Sequence, residues 1–253
     1  GDLAKLDTEN EVAHFFCIDR TYICKERILI YKEHVKNKQL QADDLSACYT
    51  GTDQKAIIAA VEWALKKSLQ RALSTGVNFS AQEAKIYPKF CITGKYKGHI
   101  WSTTKGLTIT EVVEMATMVI NNQMFLHKGV VKHMNKGGSM GLDAMPPMIN
   151  LKLAMDEWNF IDNLCQDPPT KVNLKKNHNS LRHVMRFMDD RLSLVEDNEF
   201  LPKRDHYGID FNPRVANTKV VYLGWEISST NGVTVKYKDK QDKIDVIITR
   251  YPK

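Results

Sequence analysis

Two aspartates stand side by side in Arg186-Phe187-Met188-Asp189-Asp190-Arg191. Downstream, Leu192-Ser193-Leu194-Val195 alternates apolar and polar as a strand does, and upstream His183-Val184-Met185 leads in. The segment therefore reads as a β-hairpin with its charge at the turn. Adjacent carboxylates repel, and one pKa must rise unless a cation neutralises the pair. Hard divalent cations such as Mg²⁺ prefer carboxylate oxygen. Taken alone, the stretch also reads as an ordinary Asp-rich turn. The remainder of the chain decides between the two.

With 253 residues, 43% hydrophobic and 26% charged, the chain suits one large globular domain or two small ones. No apolar run reaches the ~18 residues of a membrane span. The polar start, Gly1-Asp2-Leu3-Ala4-Lys5, lacks a secretory leader, and a start without Met points to an excised domain or a tag scar. The cysteines at 17, 24, 48, 91 and 165 form no Cys-x-x-Cys pair, which argues against zinc and against a disulfide framework. A reducing, intracellular compartment follows, whether nuclear, cytoplasmic or virus-associated. The net charge of +6 permits a nucleic-acid partner without demonstrating one.

Val12 to Ile18 reads as a buried strand, and Glu26 to Val35 as strand or helix. Basic residues cluster here (Arg20, Lys25, Arg27, Lys32, Lys36, Lys38), as a solvated face or a phosphate contact. Asp43-Asp44-Leu45 ends a short strand. Ile57, Ile58, Val61, Ala64, Leu65 and Leu69 then predict a helix from Gln54 to Leu73, capped by Thr52 or Asp53. A carboxylate at such a strand end sits where α/β proteins tend to place ligands; turn capping by Asp43 and Asp44 is the plainer account. Residues 74–107 interleave lysines with Tyr87, Phe90, Tyr96 and Trp101, as a nucleic-acid surface or a β-ribbon.

Thr108 to Asn121 is a second helix, and Phe125 to Val131 a hairpin turning at Lys128-Gly129. The glycines of Lys136 to Gly141 let backbone approach a base or phosphate, or make a flexible connection. A long helix follows, with Pro147 near its first turn. Residues 166–179 read as a polar, basic connector. Past the acidic hairpin, 203–217 is polar, 220–227 a strand, Asn231-Gly232 a hairpin turn, and 233–237 and 244–248 further strands.

The order of four boxes is specific: Asp44 with Tyr49 five residues on; Met140-Gly141 with Pro146 five residues on; Phe187-Met188-Asp189-Asp190; and Tyr222-Leu223-Gly224-Trp225. This order resembles motifs A, B, C and E of a reverse-transcriptase palm. The chain is most similar to the reverse transcriptases of Penelope-like elements, over about residues 42–252. The likeness lies in Asp-Leu-Ser-Ala-Cys-Tyr-Thr at 44–50, the helix from Thr110 to Phe125, the Gly137 to Leu151 box and the Lys236 to Asp242 region.

The resemblance implies an α+β fold: a right-hand polymerase palm, a ferredoxin-like antiparallel sheet backed by helices, with reduced fingers and no full thumb. It divides the chain into partial fingers or an N-terminal extension (1–41), a palm (42–227, with a basic and aromatic insertion at about 74–107) and a C-terminal β-hairpin region (228–253). It implies an RNA-directed DNA polymerase adding deoxynucleotides to a primer by two-metal phosphoryl transfer. Asp44, Asp189 and Asp190 would be the catalytic carboxylates holding two Mg²⁺, or Mn²⁺. Leu45 and the backbone to Tyr49 would lie along the triphosphate, with Tyr49 under the sugar, crowding a 2′-hydroxyl. Met140, Gly141 and Pro146 would support the templating pair. Lys219, or its competitor Arg214, would be the general acid on pyrophosphate. Phe187 and Met188 would pack near the primer end, and Tyr222, Leu223, Gly224 and Trp225 would form the primer grip. The implied partners are an RNA template, a DNA or RNA primer and dNTPs, with another chain as one source of fingers and thumb, and no membrane.

The chain departs from the family in several places. Only 43 residues precede Asp44, no Arg-Pro-Ile finger motif is present, and Met145 stands where the family usually has a small residue. Too little chain follows Trp225 for a helical thumb, and no GIY-YIG nuclease is visible. The sequence thus reads as a fragment, a palm completed by another chain, or a derived form. The rival function is a catalytically inactive, palm-derived RNA-binding or scaffold subunit of a ribonucleoprotein. A third, an RNA-dependent RNA polymerase, is opposed by Tyr49.

Overall fold

The computed structural model describes residues 5, 7–74, 93–96, 99–102, 107–139, 141–213 and 216–238. The expected strand at 244–248, Arg214, Met140 and most of the 74–107 insertion lie outside the described residues. The helices are α1 (Tyr22–Ile30), α2 (Lys32–Val35), α3 (Cys48–Gly51), α4 (Gln54–Ser74), α5 (Ile109–Asn121), α6 (Met145–Cys165), α7 (Pro168–Asn177) and α8 (Arg204–Tyr207). The strands are β1 (Leu40–Leu45), β2 (Thr93–Tyr96), β3 (His99–Ser102), β4 (Met124–His127), β5 (Val130–His133), β6 (Met185–Phe187), β7 (Asp190–Leu194), β8 (Phe211–Pro213), β9 (Lys219–Tyr222), β10 (Trp225–Ser228) and β11 (Thr234–Tyr237). Among the described residues no helix is long and apolar enough to cross a membrane.

The chain separates into two compact units that interleave along the sequence. One holds Gly1–Phe15, Ala47–Asn159 and Asp205–Ile209; the other holds Phe16–Ser46, Phe160–Arg204 and Asp210–Lys253. The expected domain edges at 41/42 and 227/228 fall inside β1 and β10.

The first unit is mainly helical. α4 buries Ile57, Ala60 and Val61 on one stripe, as its helical spacing predicts. Asp53, not Thr52, caps it: Asp53 Oδ2 accepts the Ala56 N–H at 3.2 Å, whereas the Thr52 hydroxyl donates to the Cys48 carbonyl. α5 opens with a capping box, in which Thr108 Oγ1 accepts from Glu111 N and Glu111 Oε2 accepts from Thr108 N. β4 and β5 form the expected hairpin, with Lys128 and Gly129 at φ 51° and 79° in its turn.

The second unit holds the four-stranded sheet in the order β6-β7-β1-β8, every pair antiparallel. A three-stranded sheet, β11-β10-β9, completes it. One face of the large sheet presents Leu40, Ala42, Met185, Leu192 and Leu194. These pack with Cys24 and Ile28 of α1, with Val35, and with Val220, Tyr222 and Ile227. Each large apolar side chain removed from water here stabilises the unit by about 1.5–3 kcal/mol.

One open alternative is resolved and two local expectations change. Glu26 to Val35 is helical, because Cys24 and Ile28, four apart, point into the core together. Val12 to Ile18 is buried at most positions but forms only a bridge at Cys17, where Ile18 N donates to Arg186 O and Arg186 N to Phe16 O, both at 2.8 Å. The stretch 220–227 is two strands, because Leu223 and Gly224 both take positive φ (50° and 83°) and reverse the chain. The connector at 166–179 also carries structure. Asp167 accepts the Thr170 N–H at 3.1 Å, Pro168 opens α7, and Leu174 is buried.

Candidate functional site

The acidic hairpin forms as its sequence predicts, β6 and β7 joined by Met188 and Asp189. Met188 has φ 54°, and its carbonyl is held by Arg186 Nη1 at 2.8 Å. The antiparallel register then brings the distant aspartates together. Asp44, near the end of β1, lies directly opposite Asp190, the first residue of β7. One step on, Leu45 N–H donates to Asp189 O at 2.9 Å. Residues opposite each other in such a ladder have Cα atoms about 4.5–5.5 Å apart and point to one face. Asp44 and Asp190 therefore share the face that carries Ala42 and Leu192, at the edge where the apolar core ends. All three aspartates are half-buried. Among the described residues, the carboxylates of Asp44 and Asp189 have no hydrogen bond or salt bridge.

Strand alternation separates Asp43 from Asp44. Asp43 points to the opposite face, is 1% exposed, and accepts from Arg191 Nη2 at 2.9 Å. Arg191 Nη1 also donates to Pro202 O at 2.9 Å. Asp43 is thus neutralised by its own cation and is not a further ligand at the site.

The donor chemistry at Asp44, Asp189 and Asp190 fits divalent metal. Three acceptor-only side chains converge on one sheet edge, with one side toward water, and all-oxygen sets of this kind suit Mg²⁺ or Mn²⁺. Their oxygens are not drawn into a single tight set. Among the described residues, the groups whose ligand atoms all lie within 4.8 Å of one another occur elsewhere in the unit.

The other expected site residues divide into supported and displaced positions. Phe187 lies opposite Asp190 and packs on the apolar core, and Met188 is half-buried in the turn. Tyr222 is 1% exposed. Its hydroxyl reaches the Asp190 carbonyl at 3.2 Å and the Met185 carbonyl at 3.4 Å. Burial, then Cys24 and Asp190, push its phenol pKa well above the ordinary value, so it stays a neutral donor. Its side chain supports the acidic hairpin from beneath. Leu223 and Gly224 form the half-buried reverse turn, with Leu223 packed on the core, and Trp225 Nε1 donates to Thr21 O at 3.0 Å.

Two residues expected at the nucleotide have partners within the chain. Leu45 has its amide committed to Asp189 O and its side chain buried, so it holds the sheet together and has no donor left for a triphosphate. Lys219 pairs with Glu226 at 3.0 Å, and β9 begins beside the Leu40–Asn217 bridge. That is the far end of β1, about 13 Å of strand from Asp44, which does not suit a general acid beside the carboxylates.

The remaining expected residues belong to the first unit. Tyr49 is half-buried in α3, Gly141 is exposed, and Pro146 is the second residue of α6. The glycine loop approaches backbone, as its composition predicts, but the backbone is the chain's own. Gly137 N donates to Thr52 O at 2.8 Å and Gly138 N to Tyr49 O at 2.7 Å. A Cβ on Gly137, at φ 72°, would lie 2.3 Å from Tyr49 O. Met145 is fully buried, and a Cβ on Gly138 would fall 2.1 Å from its terminal methyl. The missing side chain of Gly138 makes the room that the unexpectedly large Met145 occupies.

No protein-family model matches this chain, and neither does any curated protein. Solved structures do. Telomerase from Candida albicans, in complex with a TWJ fragment of telomeric RNA, is similar over 93% of this chain at 14% identity, with a TM-score of 0.63. Apo telomerase from Candida tropicalis is similar over 95% at 13% identity, with a TM-score of 0.59. The chain spans 37% and 40% of the length of those two proteins. At these identities the likeness speaks to architecture, and together with the sheet register it shows a palm-like α+β fold of the reverse-transcriptase kind.

Proposed function

We propose that this chain carries the nucleotidyltransferase centre of an RNA-directed DNA polymerase. The observation that carries the reading is the ladder register setting Asp44 opposite Asp190, with Asp189 bonded one step further. Asp44 and Asp189 would hold two Mg²⁺ ions, with Asp190 beside them. When bound, the ions lower the pKa of the primer 3′-hydroxyl and offset charge on the departing pyrophosphate. The chain's own contribution is position. β1 and β7 fix the carboxylates across one ladder, Tyr222 and Arg186 hold the hairpin from below, and Tyr49 would lie under the incoming sugar. An RNA template and a primer would occupy the open side. The Asp44 to Thr50 and Gly137 to Leu151 stretches support a Penelope-like origin, and the cysteine spacing supports an intracellular setting.

Primer extension on an RNA template with Mg²⁺ and dNTPs tests the proposal, beside Asp189→Ala. Extension by the native chain and its loss in the variant is the expected result. The rival reading is a catalytically inactive RNA-binding or scaffold subunit. RNA binding without extension by either protein would establish it instead. Tyr49→Ala should raise ribonucleotide incorporation; unchanged sugar preference would remove Tyr49 from the nucleotide site.

A further inference from the structure

The register that sets Asp44 opposite Asp190 needs a cause. No short turn joins β1 to β7, so no turn geometry fixes it. On the core face, Leu40 meets Leu194 and Ala42 meets Leu192. A slip of one residue is barred, because it would turn that apolar set to the other side of the sheet. A slip of two is not barred in this way. It keeps every face, lets Leu192 and Leu194 trade partners and re-forms the backbone bonds, and apolar contact has no direction. Yet it would set Asp44 against Leu192 in one sense, or Ala42 against Asp190 in the other.

The opposite face does discriminate. There Asp43 meets Arg191, Nη2 donating to Oδ2 at 2.9 Å, and the two residues are 1% and 4% exposed. Gln41 Nε2 donates to the other Asp43 oxygen at 2.7 Å, and Asn198 Nδ2 donates to Gln41 Oε1 at 2.8 Å. Arg191 Nη1 reaches the Pro202 carbonyl at 2.9 Å. Arg186, across from Arg191 on β6, donates instead to the Met188 carbonyl at 2.8 Å. A slip of two would carry Asp43 to Ser193 or to Asp189 and part it from Arg191. Buried charges separated from their partners are strongly unfavourable.

We infer that Asp43 and Arg191 are positioning residues, whose ion pair selects the one register in which Asp44 faces Asp190. Each stands one residue from a site acid, and strand alternation keeps both side chains off the face of the site. They act through the ladder. A buried ion pair often adds little stability over apolar side chains of similar volume, so register is what this one supplies. The effect on catalysis rests on the reading of Asp44, Asp189 and Asp190 as the metal-holding acids; the effect on register does not.

Nuclear magnetic resonance of the whole chain tests this. Because Leu45 N is bonded to Asp189 O, Asp44–Asp190 and Ala42–Leu192 are the close pairs of the ladder, whose α-protons give cross-peaks. The native chain should show both. The double variant Asp43→Leu/Arg191→Met should keep or raise the urea midpoint. It should nevertheless weaken both cross-peaks, gain one from Ala42 to Leu194 or to Asp190, and lower Mg²⁺-dependent primer extension at least about 10-fold. Arg191→Lys, which keeps the charge, should retain the native pair of peaks. Native cross-peaks in the folded double variant overturn the inference, whatever its extension rate, as does their absence from the native chain. Should the apolar pair fail to fold, Asp43→Asn gives the same reading, and native peaks in it overturn the inference equally. Failure of the native chain to extend a primer would overturn the polymerase reading alone, and the cross-peaks would still decide this one.

Discussion

At the tip of the β6–β7 hairpin, Asp189 and Asp190 lie beside Asp44 with water on one side, and among the described residues no side-chain cation pairs with Asp44 or Asp189. At its root, Asp197 is fully buried between two imidazoles. Asp43, one residue from Asp44, is buried against Arg191 on the opposite face. The same side chain thus serves two ends. Carboxylates whose charge the fold neutralises contribute to stability. Carboxylates left uncompensated at a solvated edge cost stability and keep their oxygens free for a ligand. The root shows the opposite balance. Burial works against the charged Asp197, yet the hydrogen bonds and charge of His183, then of His178, hold its pKa below the usual carboxylate range.

Swapping the treatment of these acids should break the contrast. Asp44→Ala or Asp189→Ala should lower primer extension by about 10³-fold or more, measured as single-turnover rate. Urea midpoints should stay level or rise, since like charges are removed. A midpoint that falls as far as that of a buried-acid variant would show that the tip is structural. Asp43→Ala should cost about 3–5 kcal/mol in urea unfolding, because it strands Arg191 without its partner.

Asp197→Asn should cost about 1–3 kcal/mol at pH 7. Because the folded pKa is depressed, that contribution is present above the unfolded value of about 4 and is lost as pH falls through the folded one. Native and variant stabilities should converge in acid; a constant gap would refute the assignment of Asp197 as the partnered anion. Tyr222→Phe should have the smallest effect, about 1 kcal/mol, with primer affinity unchanged. Weakened primer binding at native stability would return Tyr222 to the primer surface.

Much of this arrangement is legible in the chain because it is local. The acidic hairpin, α4 with its cap, the Thr108 start of α5 and the Lys128-Gly129 turn depend on neighbours within a few residues. The β9–β10 reversal was hidden because Val220 to Ile227 reads as one apolar run; Leu223, in the left-handed region, carries no strong local signal. Asp43 was accessible in principle. A period of two across Leu40 to Leu45 separates it from Asp44, but nothing nearby names Arg191 as its partner. Leu45 and Lys219 were placed by box order, which says nothing of which amide the sheet consumes or which end of β9 a lysine occupies.

The amino-acid order by itself determined α4, α5 and α6, the Lys128-Gly129 turn, the acid-tipped hairpin and the order of boxes that resembles a polymerase palm, because these follow from propensity and spacing along the chain. Only the tertiary structure decided which carboxylates face one another and which are neutralised. Register across β1 and β7 joins residues about 145 positions apart. The root cluster gathers His34, His178, His183 and Asp197 from segments with no common motif. Charge pairing depends on distance in space and on exclusion of water, and both are set by packing.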